Sequence, residues 1–203
     1  MVMISAVLFD LGGVLLRTED RSPREQLAIR LGMNSGQLAE LIFNSETAHL
    51  ATIGKISAEA HWEQVRQTLG LAPAEFREAR HAFWDGDQLD IHLIEYIRTL
   101  RNSRKTALLS NAWDDLRYYI EKEWKFSDAF DEMIISAEVG LAKPDPRIYQ
   151  YAAVRLGFPP QECVFVDDFI ENVEGARSIG MHAIHFKSSS PAREELEGLL
   201  DSK

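Results

Sequence analysis

The stretch Ile4-Ser5-Ala6-Val7-Leu8-Phe9-Asp10-Leu11-Gly12-Gly13-Val14 decides how the rest of the chain is read. An apolar run from Ile4 to Phe9 stops on a carboxylate, and two glycines follow. A run this short, with little polar alternation, fits a strand buried on both faces of a parallel sheet. Open parallel sheets bind ligands beyond the carboxyl ends of their strands, so Asp10 falls where chemistry is done. Gly12 and Gly13 let backbone amides approach an anion closely. Taken alone, Asp10 could equally be a carboxylate that caps a turn.

Four further runs of the same kind follow: Thr106–Leu109, Met133–Ile135, Cys163–Val166 and the weaker Ala183–Phe186. Helical patterns separate them. Ile91, Ile94, Ile97 and Leu100 share one helix face. Asp145-Pro146 and Ser190-Pro191 read as helix starts, the first opening 147–156 and the second running to about Leu200. Gly157 and Gly180 read as helix stops. This alternation predicts an α/β fold, a Rossmann-like parallel sheet core. Residues 17–88 break the rhythm: they hold no convincing strand run, and four stretches (23–32, 36–50, 58–69, 74–83) are rich in helix formers. They predict a helical bundle inserted after the first strand, giving a core of 1–16 and 89–203, an insert of 17–88, and hinges near 15–20 and 85–90.

Composition narrows the function. The 203 residues carry 22 Lys+Arg against 32 Asp+Glu, a formal net charge of -10, with no basic run. General nucleic-acid or anionic-membrane binding is therefore not expected. No stretch approaches the ~18 apolar residues of a membrane span, and the N-terminal run lacks the basic flank and cleavage site of a signal peptide. Cys163 is the single cysteine, which excludes an internal disulfide and makes a cytoplasmic location the simpler expectation. The oligomeric state is left open.

Three more polar clusters end or follow the later strand runs. Ser110-Asn111 offers a hydroxyl and successive amides, an oxyanion or phosphate cradle, though such pairs also make ordinary turns. Lys143 precedes a proline-fixed helix start and suits phosphate charge; a solvated loop lysine is the plainer alternative. Asp167-Asp168 ends a very apolar strand, where paired carboxylates are costly unless a cation or strong donors meet them. Hard oxygen ligands of this kind suit Mg²⁺. Parallel strands bring their carboxyl ends to one edge, so all four groups converge there. Asn172 could support that site or only solvate a helix. Arg17, Arg21 and Arg24 fall near the expected hinge, where they could attract an anionic substrate, although solvated arginines are the commoner case. His81 and Trp84 are expected to pack, and Cys163 to be an inert core thiol. No histidine spacing suits zinc, and no GxGxxG or Walker pattern supports a nucleotide cofactor.

The ordered set Asp10-x-Gly-Gly-Val, Leu-Ser110-Asn111, Lys143-Pro and Val-Asp167-Asp168 resembles the haloacid dehalogenase-like hydrolase superfamily, in its helical-cap form. The resemblance implies Asp10 as nucleophile, forming an aspartyl-phosphate, and Ser110 and the Asn111 backbone as phosphate-binding groups. It implies Lys143 as a phosphate-binding group that steadies Asp10. It also implies a Mg²⁺ site built from Asp10, the Gly12 carbonyl, Asp167 and Asp168, beneath a cap that closes over a small phosphorylated metabolite such as a sugar phosphate. One position departs from the pattern. Phosphatases of this superfamily usually carry a second, proton-transferring Asp two residues after the nucleophile, and Gly12 stands there. Such help is worth about 10²–10⁴-fold; a water, or Glu46 or His49 in the insert, is the candidate to replace it. Two other readings follow: a metal-free 2-haloacid dehalogenase, or a low-turnover phosphate- and Mg²⁺-binding module.

Overall fold

The computed structural model describes residues 3–201; Met1, Val2, Ser202 and Lys203, which the expected core segments include, lie outside it. Its strands, in chain order, are β1 (Ala6–Phe9), β2 (Leu16–Thr18), β3 (Asp87–Leu89), β4 (Lys105–Ser110), β5 (Glu132–Ile135), β6 (Cys163–Asp167) and β7 (His182–His185). Five of them form one parallel sheet in the order β5-β4-β1-β6-β7. Each predicted strand run is there, and β1 lies at the centre. Its residues are at most 1% exposed, which is why the run carries no alternation.

Between β2 and β3 lie α1 (Ser22–Arg30), α2 (Ser35–Ala39), α3 (Glu46–Thr52), α4 (Ala58–Leu69) and α5 (Pro73–Trp84). After β3 come α6 (Ile91–Leu100), α7 (Leu116–Tyr118), α8 (Ser136–Val139), α9 (Pro146–Leu156), α10 (Ile170–Arg177) and α11 (Ser189–Leu200). Alternate strand residues face opposite layers. Val7, Phe9, Leu108, Val164 and Val166 pack with Ile94 and Ile97 of α6 and Leu196 of α11. Ala6, Leu8, Leu109 and Phe165 pack with Ile148 and Ala152 of α9 and Val173 of α10. A third cluster, centred on Leu38, Trp62, Val65, Phe76 and Phe83, fills the helices between β2 and β3. No described helix is long and apolar enough to cross a membrane.

Two expectations need correction. Residues 17–88 were expected to hold no strand, yet β2 and β3 pair antiparallel, with Leu16 opposite Leu89 and Thr18 opposite Asp87. Three residues per strand are too few to show a period, and side chains rather than an apolar pattern tie the ribbon. Thr18 Oγ1 donates to Asp87 Oδ1 at 2.7 Å, and Arg24 forks onto both Asp87 oxygens at 2.9 and 2.7 Å. The predicted hinge positions fall on this ribbon. The stretch 36–50 is also not one helix. A π-helical turn (Glu40–Asn44) follows α2, and Ser45 turns extended, with ψ 160°, to cap α3. Its hydroxyl accepts from Ala48 N at 3.3 Å.

Candidate active site

The strand register brings the polar groups together. Phe9 lies opposite Leu108 on β4 and Val166 on β6, so the next residue, Asp10, emerges level with the ends of both strands. Asp10 N donates to Val166 O at 2.9 Å, pinning the backbone there. Ser110 ends β4, 3% exposed, and Asp167 ends β6, wholly buried. Lys143 arrives from the loop between α8 and α9. The expected start of α9 is present: Asp145 Oδ1 accepts from Arg147 N at 2.9 Å, with Pro146 at the first position.

Lys143 is the hub. Its Nζ lies 2.8 Å from Asp10 Oδ1 and 2.6 Å from Asp167 Oδ2, with its side chain 1% exposed. Leu11 N donates to the same Asp10 oxygen at 2.7 Å. Burial raises the Asp10 carboxyl to about 7; Lys143 pulls it down, and the Asp167 charge pushes it up again. Asp167 is well supplied with donors: beyond Lys143 it accepts from Phe169 N at 2.8 Å and from Asn172 Nδ2 at 3.0 and 3.1 Å. Asn172 therefore supports the site through Asp167, and its own carbonyl accepts from Tyr149 OH at 2.8 Å. The Asn111 side chain clamps the Lys143 backbone, donating to its carbonyl at 2.8 Å and accepting from its amide at 2.8 Å. That clamp joins residues 32 positions apart, and only the nearness of Asn111 to a strand end hinted at it.

Asp168 differs from Asp167. Its Oδ1 is buried without a hydrogen-bond partner among the described residues. Burial first, and then the Asp167 charge, push its carboxyl up. Gly13 sits at φ 73°, and any Cβ there would fall inside the Asp168 carboxylate. Asp10, Asp167 and Asp168 each bring one oxygen to within 4.8 Å of the others. Three carboxylates against one ammonium, with one buried oxygen unmatched, can hold a hard divalent cation. At Gly12 a Cβ would meet no atom within 4 Å, so the position is open as well as devoid of acid.

The other candidates lie elsewhere. Glu46 and His49 are exposed on α3 and make no hydrogen bond or ion pair with Asp10, Lys143 or Asp167. Arg17 pairs with Asp90 and Glu19, each at 3.0 Å. Arg24 is spent on Asp87 and covers the Phe83 ring at 4.3 Å. Arg21 is exposed ahead of α1. Trp84 packs edge-on against Phe83 at 4.9 Å, but His81 is exposed, contrary to its expected packing role. His61 is the buried histidine, bonded to Thr47 Oγ1 at 2.8 Å and Ile42 O at 3.0 Å. Cys163 is buried, and burial pushes its thiol up to about 12.

A profile of haloacid dehalogenase-like hydrolases matches residues 4–180. The chain is 28% identical to the D-ribitol-5-phosphate phosphatase of Bacteroides thetaiotaomicron, over 98% of this chain and all of that one. It is 27% identical to a sesquiterpene phosphatase of Aspergillus oryzae, over 96% of each. Among solved structures, a HAD family enzyme of Bacteroides thetaiotaomicron in complex with magnesium and inorganic phosphate superimposes with a TM-score of 0.77 at 23% identity, covering 92% of this chain and 96% of that one. The L-2-haloacid dehalogenase of Xanthobacter autotrophicus gives 0.64 at 22% identity, covering 98% and 85%. At such identities these two structures speak for the fold alone. The profile, however, runs from the start of β1 through α10 and takes in every residue of the lysine-centred site, so the chain belongs to the haloacid dehalogenase-like hydrolases.

Proposed function

We propose that this hydrolase is a Mg²⁺-dependent phosphatase of a small phosphorylated metabolite, such as a sugar phosphate, working through an aspartyl-phosphate on Asp10. The observation that carries the reading is the Lys143 ammonium shared between Asp10 and Asp167, beside the unmatched oxygen of Asp168. A phosphatase-named relative that aligns over its full length supports the reaction class.

In this reading an Asp10 carboxylate oxygen attacks phosphorus, and the bond to the leaving oxygen breaks. Water then attacks the acyl phosphate, releasing inorganic phosphate and restoring the carboxylate. A carboxylate and a phosphate repel each other, and Lys143 offsets part of that repulsion. A Mg²⁺ held by Asp168, with Asp10, Asp167 and the Gly12 carbonyl as further ligands, would supply the remaining positive charge. The Ser110 hydroxyl and Asn111 amide would donate to the transferring phosphoryl oxygens. Because Gly12 has no acid to give, the leaving oxygen takes its proton from solvent. The helices of 17–88 would act as a cap that excludes water, over a core of 1–16 and 89–203. The buried lone Cys163 supports a cytoplasmic setting.

The test is inorganic phosphate release from a panel of phosphorylated metabolites with Mg²⁺, with EDTA, and with Asp10→Asn. Release that falls by at least about 10³-fold in both controls is expected. Release that survives EDTA, or survives Asp10→Asn, overturns the reading. Chloride release from 2-haloacids without phosphate release would put a dehalogenase in its place.

A further inference from the structure

Trp113 follows Ser110 by three residues, yet its ring lies in the apolar cluster of the helices between β2 and β3. It sits 4.7 Å from the His61 ring, 5.2 Å edge-on from Trp62, and 6.4 Å stacked on Phe43. The socket is firm, because both His61 nitrogens are bonded within the same helices. The next residue, Asp114, accepts from Ala58 N at 2.9 Å, the first amide of the twelve-residue α4. A carboxylate at a helix N-terminus is favourably placed. Gly54, at φ 68°, lies so close to Ala137 O that no side chain fits between the α3–α4 turn and α8. Trp113 and Asp114 are thus gripped by the helical insert.

The same segment is tied to the reacting groups. Ser136 Oγ bonds both the amide and the carbonyl of Ala112, at 2.9 and 3.1 Å. Asn111 clamps the Lys143 backbone, and Lys143 holds Asp10. A continuous path of packed and bonded groups runs from the insert through Trp113 and Asn111 to Lys143.

We propose that Trp113 and Asp114 are positioning residues: they key the loop of Ser110 and Asn111 to the helical insert, and through Asn111 they set the position of Lys143. The effect on turnover rests on the phosphatase reading; the mechanical coupling does not. Misplacement of a reacting group by about 1 Å costs on the order of 10²-fold, so Trp113→Ala is expected to lower kcat/KM about 10–100-fold. Trp113→Phe, which still fills the socket with a ring, is expected to stay within about threefold of wild type. Amide hydrogen exchange reads the coupling without any substrate. The Lys143 amide, held by Asn111, and the Ala58 amide, held by Asp114, should exchange at least about tenfold faster in Trp113→Ala and in Asp114→Ala. Unchanged exchange at Lys143 in both variants overturns the proposal. So does a Trp113→Phe protein as impaired as Trp113→Ala. A wild-type chain that releases no phosphate would remove the phosphatase reading alone, and exchange at Lys143 would then decide the coupling.

Discussion

At the scale of single residues, the site is a problem in charge placement. Three carboxylates gather around one ammonium; Asp10 and Asp167 share it, and Asp168 keeps a buried oxygen unmatched. Gly13 makes that arrangement possible, since its positive φ and bare Cα leave room for the Asp168 carboxylate. Gly13→Ala is therefore expected to displace Asp168 and weaken Mg²⁺ binding at least about tenfold, with a backbone strain of about 1–2 kcal/mol. Calorimetric Mg²⁺ titration of the purified variant checks this; unchanged affinity would mean Asp168 is not a ligand. Asp10, Ser110, Lys143 and Asp167 could be read from the sequence because each closes an apolar run or precedes a proline-set helix. Asn172 stood as an open candidate for support because it follows Asp167 by five residues, but the Asn111 clamp on Lys143 and the Tyr149 bond to Asn172 were not legible. Their partners are brought together by the packing of strands and helices, and no local spacing announces such a meeting.

At the scale of elements, the parallel strands were legible and the ribbon was not. Val7, Leu8 and Phe9 carry their burial openly, whereas β2 and β3 are three residues each and are held by Thr18, Arg24 and Asp87. The ribbon also depends on backbone closeness at one end. Gly86 O accepts from Glu19 N at 3.0 Å and Asp20 N at 3.2 Å, and a Cβ on Gly86 would overlap Asp20 O. Gly86→Ala is expected to force this end apart and cost about 1–3 kcal/mol, as overpacking does. Thermal melting of the variant beside wild type measures it, and an unchanged melting temperature would show that the ribbon yields freely. The break in 36–50 escaped the sequence reading for a different reason. Every residue from Gln37 to Phe43 is compatible with a helix, and only the cap at Ser45 gives the interruption away.

At the scale of the whole molecule, the site carries a stability cost that depends on pH. Asp10 has a folded pKa of about 7 against an ordinary value of 3.8, so the folded state binds its proton more tightly than the unfolded state does. The stability this contributes is full below about 4 and is lost as pH rises through about 7. The metal-free protein is therefore expected to melt progressively lower between pH 4 and 7, and Asp10→Asn to flatten that slope. A cation bound only by the folded state acts in the opposite sense. Mg²⁺ at about 100 times its Kd adds about 2.7 kcal/mol, or roughly 5–11 °C for a chain of this size. Scanning calorimetry at pH 5 and 7.5, with and without Mg²⁺, tests both statements, and a melting temperature indifferent to Mg²⁺ at pH 7.5 would count against the metal site.

The strand order has a consequence for how the chain is made. β1 is synthesised first but lies in the middle of the sheet, and its neighbours β4 and β6 begin at Lys105 and Cys163. While the ribosome is still producing the helices of the insert, Val7, Leu8 and Phe9 have no strand to pair with on either side. Those helices carry their own apolar cluster and mostly local contacts, so they can gather early, whereas the sheet must wait for partners about 100 and 157 positions downstream. Asp10 leaves the ribosome well ahead of its partners, and its surroundings are complete only after Asp168 emerges. Until β4 emerges the nascent chain therefore exposes an unpaired apolar segment, the kind of surface that chaperones bind.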